Sequence, residues 1–311
     1  NLTGNVLFDL PGTIATTRFR ASGTNSLTTL LQNQAVTLQA NTSISVSDAV
    51  TVSTTPHALT LQSGGDITIT AQIKTAGITL LANDIGTGVN ASGTTKVSSS
   101  VSLDATGGTL KIGNNGGTGV HALGGTLAGD ALDIAGNVAL SSATQIAIGA
   151  GASTLSSAIS GGFGLTKAGG GTLVLGSANS FDSTTVSAGT LTVGVAGALP
   201  AGKAVTVSGG TLDVNGKAPS VGAVTLSGGT IADVAGGGKL TGTSFDAQSG
   251  SASAVLDGGA AVLTKTTTGT VTLSGANSYG ATTVSAGTLQ VGGGGGTGTL
   301  GSGAVVDNAA L

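Results

Sequence analysis

The chain has 311 residues, of which 57 are Gly, with 7 % charged residues, 2 % aromatics and a formal net charge of −3. It contains no Cys, which excludes disulfides, Cys-ligated metals and thiol nucleophiles. It has no basic block to serve as an electrostatic footprint for nucleic acid, and no apolar run long enough to cross a membrane.

All 13 acidic residues are Asp, and Glu and Met, two of the better helix formers, are absent. Thr, Val and Ile are abundant, and their branched side chains suit a pleated sheet. The expectation is an almost entirely β chain. An apolar fraction of 39 % separates it from disordered sequences, and Gly without a triplet period separates it from collagen.

In chain order, residues 1–30 come first and stand apart. They hold both Arg residues, Arg18 and Arg20, with Phe8, Pro11 and Phe19, and are read as an N-terminal cap or junction. Residues 31–160 carry a loose repeat. Val36-Thr37-Leu38, Leu59-Thr60-Leu61, Ile78-Thr79-Leu80 and Val101-Ser102-Leu103 are spaced by 23, 19 and 23 residues. Residues 161–311 contain two gapless copies of one segment, 165–194 and 263–292, offset by 98 with 19 identities in 30 positions.

A shorter period lies inside the long one. A small-Gly-Thr-apolar motif ends at Leu110, Leu127, Leu173, Leu191, Leu212, Ile231, Val271 and Leu289. Its adjacent gaps are 17, 18, 21, 19 and 18, and two further gaps, 46 and 40, are near twice that. A unit of about 20 residues is too short for a domain and fits one coil of a solenoid. Propeller blades need roughly 40–45 residues, and leucine-rich repeats need a Leu/Asn pattern that is not here. The fold expected is a right-handed parallel β-helix of about 15 coils of about 20 residues. Alternation places Val186, Leu191, Val193, Val284, Leu289 and Val291 inward and Thr185 and Thr283 outward.

Leu165-Thr166-Lys167, Gly171-Thr172-Leu173, Ala178-Asn179-Ser180-Phe181 and Thr184-Thr185-Val186-Ser187-Ala188-Gly189-Thr190-Leu191 resemble the autotransporter-associated β-strand repeat of type V secreted passengers. The same pattern runs from Leu263 to Gly292. In that family an extra residue usually separates the aromatic from Thr-Thr-Val, so a tighter corner is expected after Phe181 and Tyr279. Ala58 to Ile69 is similar to the degenerate repeats of haemagglutinin-type large exoproteins. The resemblance implies export across the outer membrane, an extracellular or cell-surface location, and roles in adhesion, aggregation or biofilm matrix.

Candidate chemistry is sparse. His57 and His121 are far apart in sequence and are read as surface or turn residues. Asp130 and Asp133 form the closest acidic pair and are read as solvated charge, because strand positions three apart face opposite sides. Gly64-Gly65-Asp66-Ile67 is a fragment of a calcium-binding nonapeptide, and Gly292 to Gly296 reads as a turn between coils. Asn179 and Asn277 are read as turn-formers that satisfy backbone groups and tolerate left-handed geometry, with Phe181 and Tyr279 beside them. Thr-Thr pairs at 16–17, 94–95, 184–185 and 282–283 are too irregular for a hydroxyl column of the ice-binding kind. No catalytic, cofactor-binding or metal residue is assigned.

Three function classes compete. The leading one is a structural stalk or fibre segment of a surface adhesin or exoprotein. The alternative is a glycan- or matrix-binding module, which an aromatic or charged cluster on one face would favour. The remote one is a polysaccharide-acting enzyme. Gly301 to Leu311 lacks a polar cap, so the C-terminal end is expected to stack on a continuation of its own chain or, end to end, on a second copy.

Overall fold

A computed structural model describes residues 6–8, 27–40, 43–52, 56–64, 66–82, 95–97, 102–112, 120–134, 136–293 and 297–309. The chain divides into two compact units, Asn1–Phe163 and Gly164–Leu311. Every strand pairing described within them is parallel, and the only helix among the described residues is the single turn Leu27–Leu31. This is the parallel β-solenoid expected from the 20-residue period.

In the first unit, Val36–Ala40 pairs with Ala58–Ser63, which pairs with Gly77–Ala82. The register matches Val36 to Leu59 and Leu59 to Ile78, so the loose Val/Leu/Ile-Thr-Leu repeat stacks turn on turn. A second column stacks Ile44 on Ile67, and a third stacks Val50 on Ile73 and Ile73 on Leu103. Alternation decides the core. Leu59, Leu61, Ile67, Ile69, Ile73, Ile78 and Leu80 are fully buried, while Thr60, Thr68 and Thr79 between them are half-buried. On the outward side Lys74 and Asp104 of neighbouring strands form an ion pair at 3.0 Å.

The second unit is more regular. One sheet stacks Gly164–Ala168, Ser183–Val186, Ala204–Val207, Ala223–Leu226, Ser244–Ala247, Leu263–Lys265, Thr282–Val284 and Val305–Asp307. Another stacks Thr172–Leu175, Thr190–Val193, Thr211–Asp213, Thr230–Ala232, Gly250–Ala252, Thr270–Leu273 and Thr288–Val291. A short third sheet joins Lys239–Thr241, Val255–Gly258 and Ser278–Tyr279. Lys167 pairs with Val186, Val186 with Val207, Val207 with Leu226, Leu226 with Ala247 and Ala247 with Lys265, so the 98-residue repeat is five turns.

The described residues make about 11 turns of about 20 residues rather than the 15 expected. Turns are unequal: pairing of Val6 with Val36 and of Ile78 with Leu110 makes single steps of 30 and 32 residues. Two of the six expected inward residues also differ. Val186, Leu191 and Val193 are fully buried and Val284 is 8 % exposed, but Leu289 is only half-buried and Val291 is 44 % exposed. Thr288–Val291 bonds to Thr270–Leu273 on one side, and among the described residues no strand covers its other edge. The proposed cap over residues 1–30 lies mostly outside the described residues, as do Arg18, Arg20, Gly65 and Gly294 to Gly296.

Candidate functional site

The chemistry of the second unit is concentrated at corners, where buried polar side chains meet backbone groups of successive turns. Two lysines lead. Leu165 points inward and Thr166 outward, so alternation turns Lys167 inward; Leu263, Thr264 and Lys265 repeat the pattern. Both lysines are fully buried. Lys167 Nζ donates to Ala168 O at 2.5 Å, Gly169 O at 2.8 Å and Ala188 O of the next turn at 3.2 Å. Lys265 Nζ donates to the carbonyl of Thr267 and to its Oγ1 at 3.3 Å. Thr267 Oγ1 in turn donates to Gln248 O of the preceding turn at 2.6 Å. Burial pulls the Lys167 ammonium down to about 8. It also lowers Lys265, against the opposing attraction of Asp246.

Glycine shapes the cage. Gly189 and Gly287 occupy equivalent positions with φ of +63° and +72°. A Cβ on Gly189 would collide with the carbonyl oxygens of Gly169 and Gly171 and sit 2.8 Å from Lys167 Nζ. On Gly287 it would collide with the Thr267 carbonyl oxygen and sit 2.5 Å from Gly269 O. Only glycine allows this approach.

The asparagines bridge turns. Asn179 Nδ2 donates to Ala198 O at 2.7 Å. Asn277 Nδ2 donates to Thr299 O at 2.7 Å, and its Oδ1 accepts from Leu256 N at 2.9 Å, so one side chain ties three turns. Both satisfy backbone groups as expected. Neither has left-handed geometry; among the described non-glycine residues only Asn215 does, at φ 49°.

Phe181 and Tyr279 are fully buried. They cannot offer the stacking platform that a glycan-binding reading needs. Tyr279 lies 5.9 Å from Phe245, centroid to centroid. Thr282 Oγ1 donates to Tyr279 Oη at 3.2 Å. Burial raises the Tyr279 hydroxyl, with the bonds to Thr282 and the Gly301 backbone acting the other way.

Carboxylates serve corners too. Asp213 Oδ1 accepts from Asn215 N at 2.9 Å and from Val234 N of the next turn at 3.0 Å. Asp233 accepts from Gly216 N at 2.7 Å and Gly238 N at 2.6 Å. Asp257 accepts from Lys239 Nζ at 2.6 Å, Ser278 Oγ at 2.8 Å and Thr241 Oγ1 at 3.1 Å. The Lys239 and Ser278 bonds hold it down near 2.

The sequence-singled residues do not converge. His57 is half-buried, with Nδ1 3.1 Å from Leu31 O. His121 is fully buried in Val120–Ile134, not a surface or turn residue; it stands where Leu123 and Leu127 also turn inward. Asp130 and Asp133 share that strand, both half-buried. Among the described residues no group of three or more His or Asp could hold a metal, and no helix is long and apolar enough to cross a membrane. A regular hydroxyl column does exist. Thr166, Thr185, Thr206, Thr225, Thr264 and Thr283 align one per turn, with Asp246 in the fifth place, because strand register rather than Thr-Thr pairs sets it.

The two lysine cages, with their Asn bridges and Gly corners, fall inside the two 98-offset segments. Residues 165–193 and 263–291 each match the passenger-associated-transport-repeat. The repeat recurs once every five turns and supplies the inward Lys, the bridging Asn, the buried aromatic and the positive-φ Gly. Repeat and solenoid together fit an autotransporter passenger. Comparison with curated proteins and with solved structures found no match.

Proposed function

We propose that this chain is a stalk or fibre segment of a secreted bacterial surface protein, extending and presenting other parts of it in adhesion, aggregation or biofilm matrix. The observation that carries this reading is the pair of passenger-associated-transport-repeats embedded in a parallel solenoid. Its polar side chains support the same reading: Lys167, Lys265, Asn179 and Asn277 bond backbone groups of the solenoid, and Tyr279 is buried against Thr282. The location proposed is the bacterial cell surface, and the role is not catalytic. The partner proposed is a further turn, of its own chain or a second copy, stacking on the edge where Val291 is exposed.

Display on bacterial cells tests this, using the chain alone and the chain carrying a known adhesive tip. The expected result is that protease added to intact cells removes the chain, that the chain alone neither holds nor cleaves a panel of acidic and neutral glycans, and that the tip confers attachment. Saturable glycan binding or glycan turnover by the chain alone would overturn the structural reading.

A further inference from the structure

We propose that Lys167 and Lys265 are register locks, which fix how far each turn of the solenoid slides along the next. The need for such a lock follows from the core. Inward positions two apart are both aliphatic in several strands of this unit: Val205 and Val207, Val224 and Leu226, Leu191 and Val193. A slip of two residues preserves the in–out alternation and exchanges one aliphatic side chain for another. Apolar matching alone therefore distinguishes these registers poorly.

Lys167 distinguishes them directly, and Lys265 does so through Thr267, whose hydroxyl it bonds and which bonds Gln248 O of the preceding turn. The ammonium of Lys167 reaches Ala188 O on the next turn only when Lys167 stands opposite Val186. A two-residue slip moves it roughly 6.6 Å along the strand, away from that carbonyl, and leaves the buried ammonium only Ala168 O and Gly169 O of its own turn. The bare Cα of Gly189 adds a second condition. It must lie against Gly169 and Gly171, where any residue with a Cβ would collide. A slipped register brings Ser187 or Leu191 to that place. Gly287 meets Thr267 and Gly269 in the same way in the second copy.

The distribution of polar groups agrees. Among the described residues of this unit, the buried polar side chains are Lys167, Thr184, Asp213, Lys265, Asn277 and Thr282, and all but Asp213 lie within the two matched segments. A polar group in an apolar interior sets pairing at some expense of stability, as a buried Asn does in coiled coils. The matched segments are thus locking turns, one every five, and the turns between bury Asp213 as their one polar side chain among the described residues.

Because the chain has no Cys, engineered pairs report register directly. Thr166→Cys with Thr185→Cys forms a disulfide in the native register; Thr166→Cys with Ser187→Cys forms one only after a two-residue slip. In the parent chain the first pair is expected to close and the second to stay open. With Lys167→Met the fold should persist while both pairs close. Exchanging the two inward residues, as Leu165→Lys with Lys167→Leu, should reverse the preference to the 166–187 pair. If Lys167→Met still closes only the native pair, or unfolds the chain so that the lysine proves a stability element instead, the proposal fails. It fails equally if the exchanged variant folds and keeps the 166–185 disulfide.

Discussion

Thr184 and Thr282 occupy the same position in the two matched segments, and the same substitution at the two should act with opposite sign. Thr184 is 1 % exposed, and its Oγ1 has no hydrogen-bond partner. Its neighbour in the motif is Phe181, which has no hydroxyl to offer. Thr282 is equally buried, but its Oγ1 donates to Tyr279 Oη at 3.2 Å. Thr→Val keeps the shape and the β preference and removes only the hydroxyl. At Thr184 it should relieve an unsatisfied buried group and stabilise by about 1–2 kcal/mol. At Thr282 it should remove a made bond and destabilise by about 1 kcal/mol, Tyr279 keeping its Gly301 contact. The difference between the two variants, about 2–3 kcal/mol, cancels effects common to the exchange itself. Urea unfolding of both variants beside the parent measures it. Equal destabilisation at both positions would refute the assignment of an orphaned hydroxyl at Thr184.

Three further outcomes follow from the same geometry. Val186→Asp places a charge at a fully buried position and should cost several kcal/mol, whereas Thr185→Asp, half-exposed on the next position, should melt near the parent; equal melting temperatures would remove the assigned register. Gly189→Ala puts a Cβ at φ +63° against two carbonyl oxygens and should cost at least about 2 kcal/mol, while Gly202→Ala, at φ +70° with open space around it, should cost less; comparing their denaturant midpoints isolates the close approach. The folded-state pKa of Lys167, about 8, lies below its ordinary value, so the unfolded chain binds more protons between the two. Stability should therefore be lowest below pH 8 and rise as pH climbs above it, with Lys265 acting in the same direction. Lys167→Met combined with Lys265→Met should flatten that rise; an unchanged pH profile in the double variant would show that these groups do not cause it.

Much of the fold was legible because alternation and period are properties of the chain itself. Val186, Leu191 and Val193 are inward because every second residue of a strand faces one side, whatever lies above. Leu289 and Val291 obey the same alternation, yet they need a covering turn that Thr288–Val291 lacks among the described residues. The candidate site was less legible. Lys167 entered only as part of the Leu-Thr-Lys motif, although Leu165 inward and Thr166 outward already fixed its direction. What the pattern does not display is the cluster of corner carbonyls that makes a buried ammonium tolerable. Ala168 O and Gly169 O come from the lysine's own corner, but Ala188 O joins them only once two turns are stacked. Phe181 and Tyr279 were placed beside a turn by the sequence, which left open whether they pack or face solvent; neighbouring turns close over both.

If the turns of Gly164–Leu311 are additive, as the proposed stalk requires, a second copy of residues 167–264 can be inserted after Thr264. The insert joins Thr264 to Lys167 and restores the Leu-Thr-Lys sequence at both junctions, adding five turns in register. At one strand spacing per turn, small-angle scattering should show the longest dimension increasing by about 24 Å with no change in cross-section. An insert that leaves the length unchanged, thickens the particle or unfolds would show that the turns do not add.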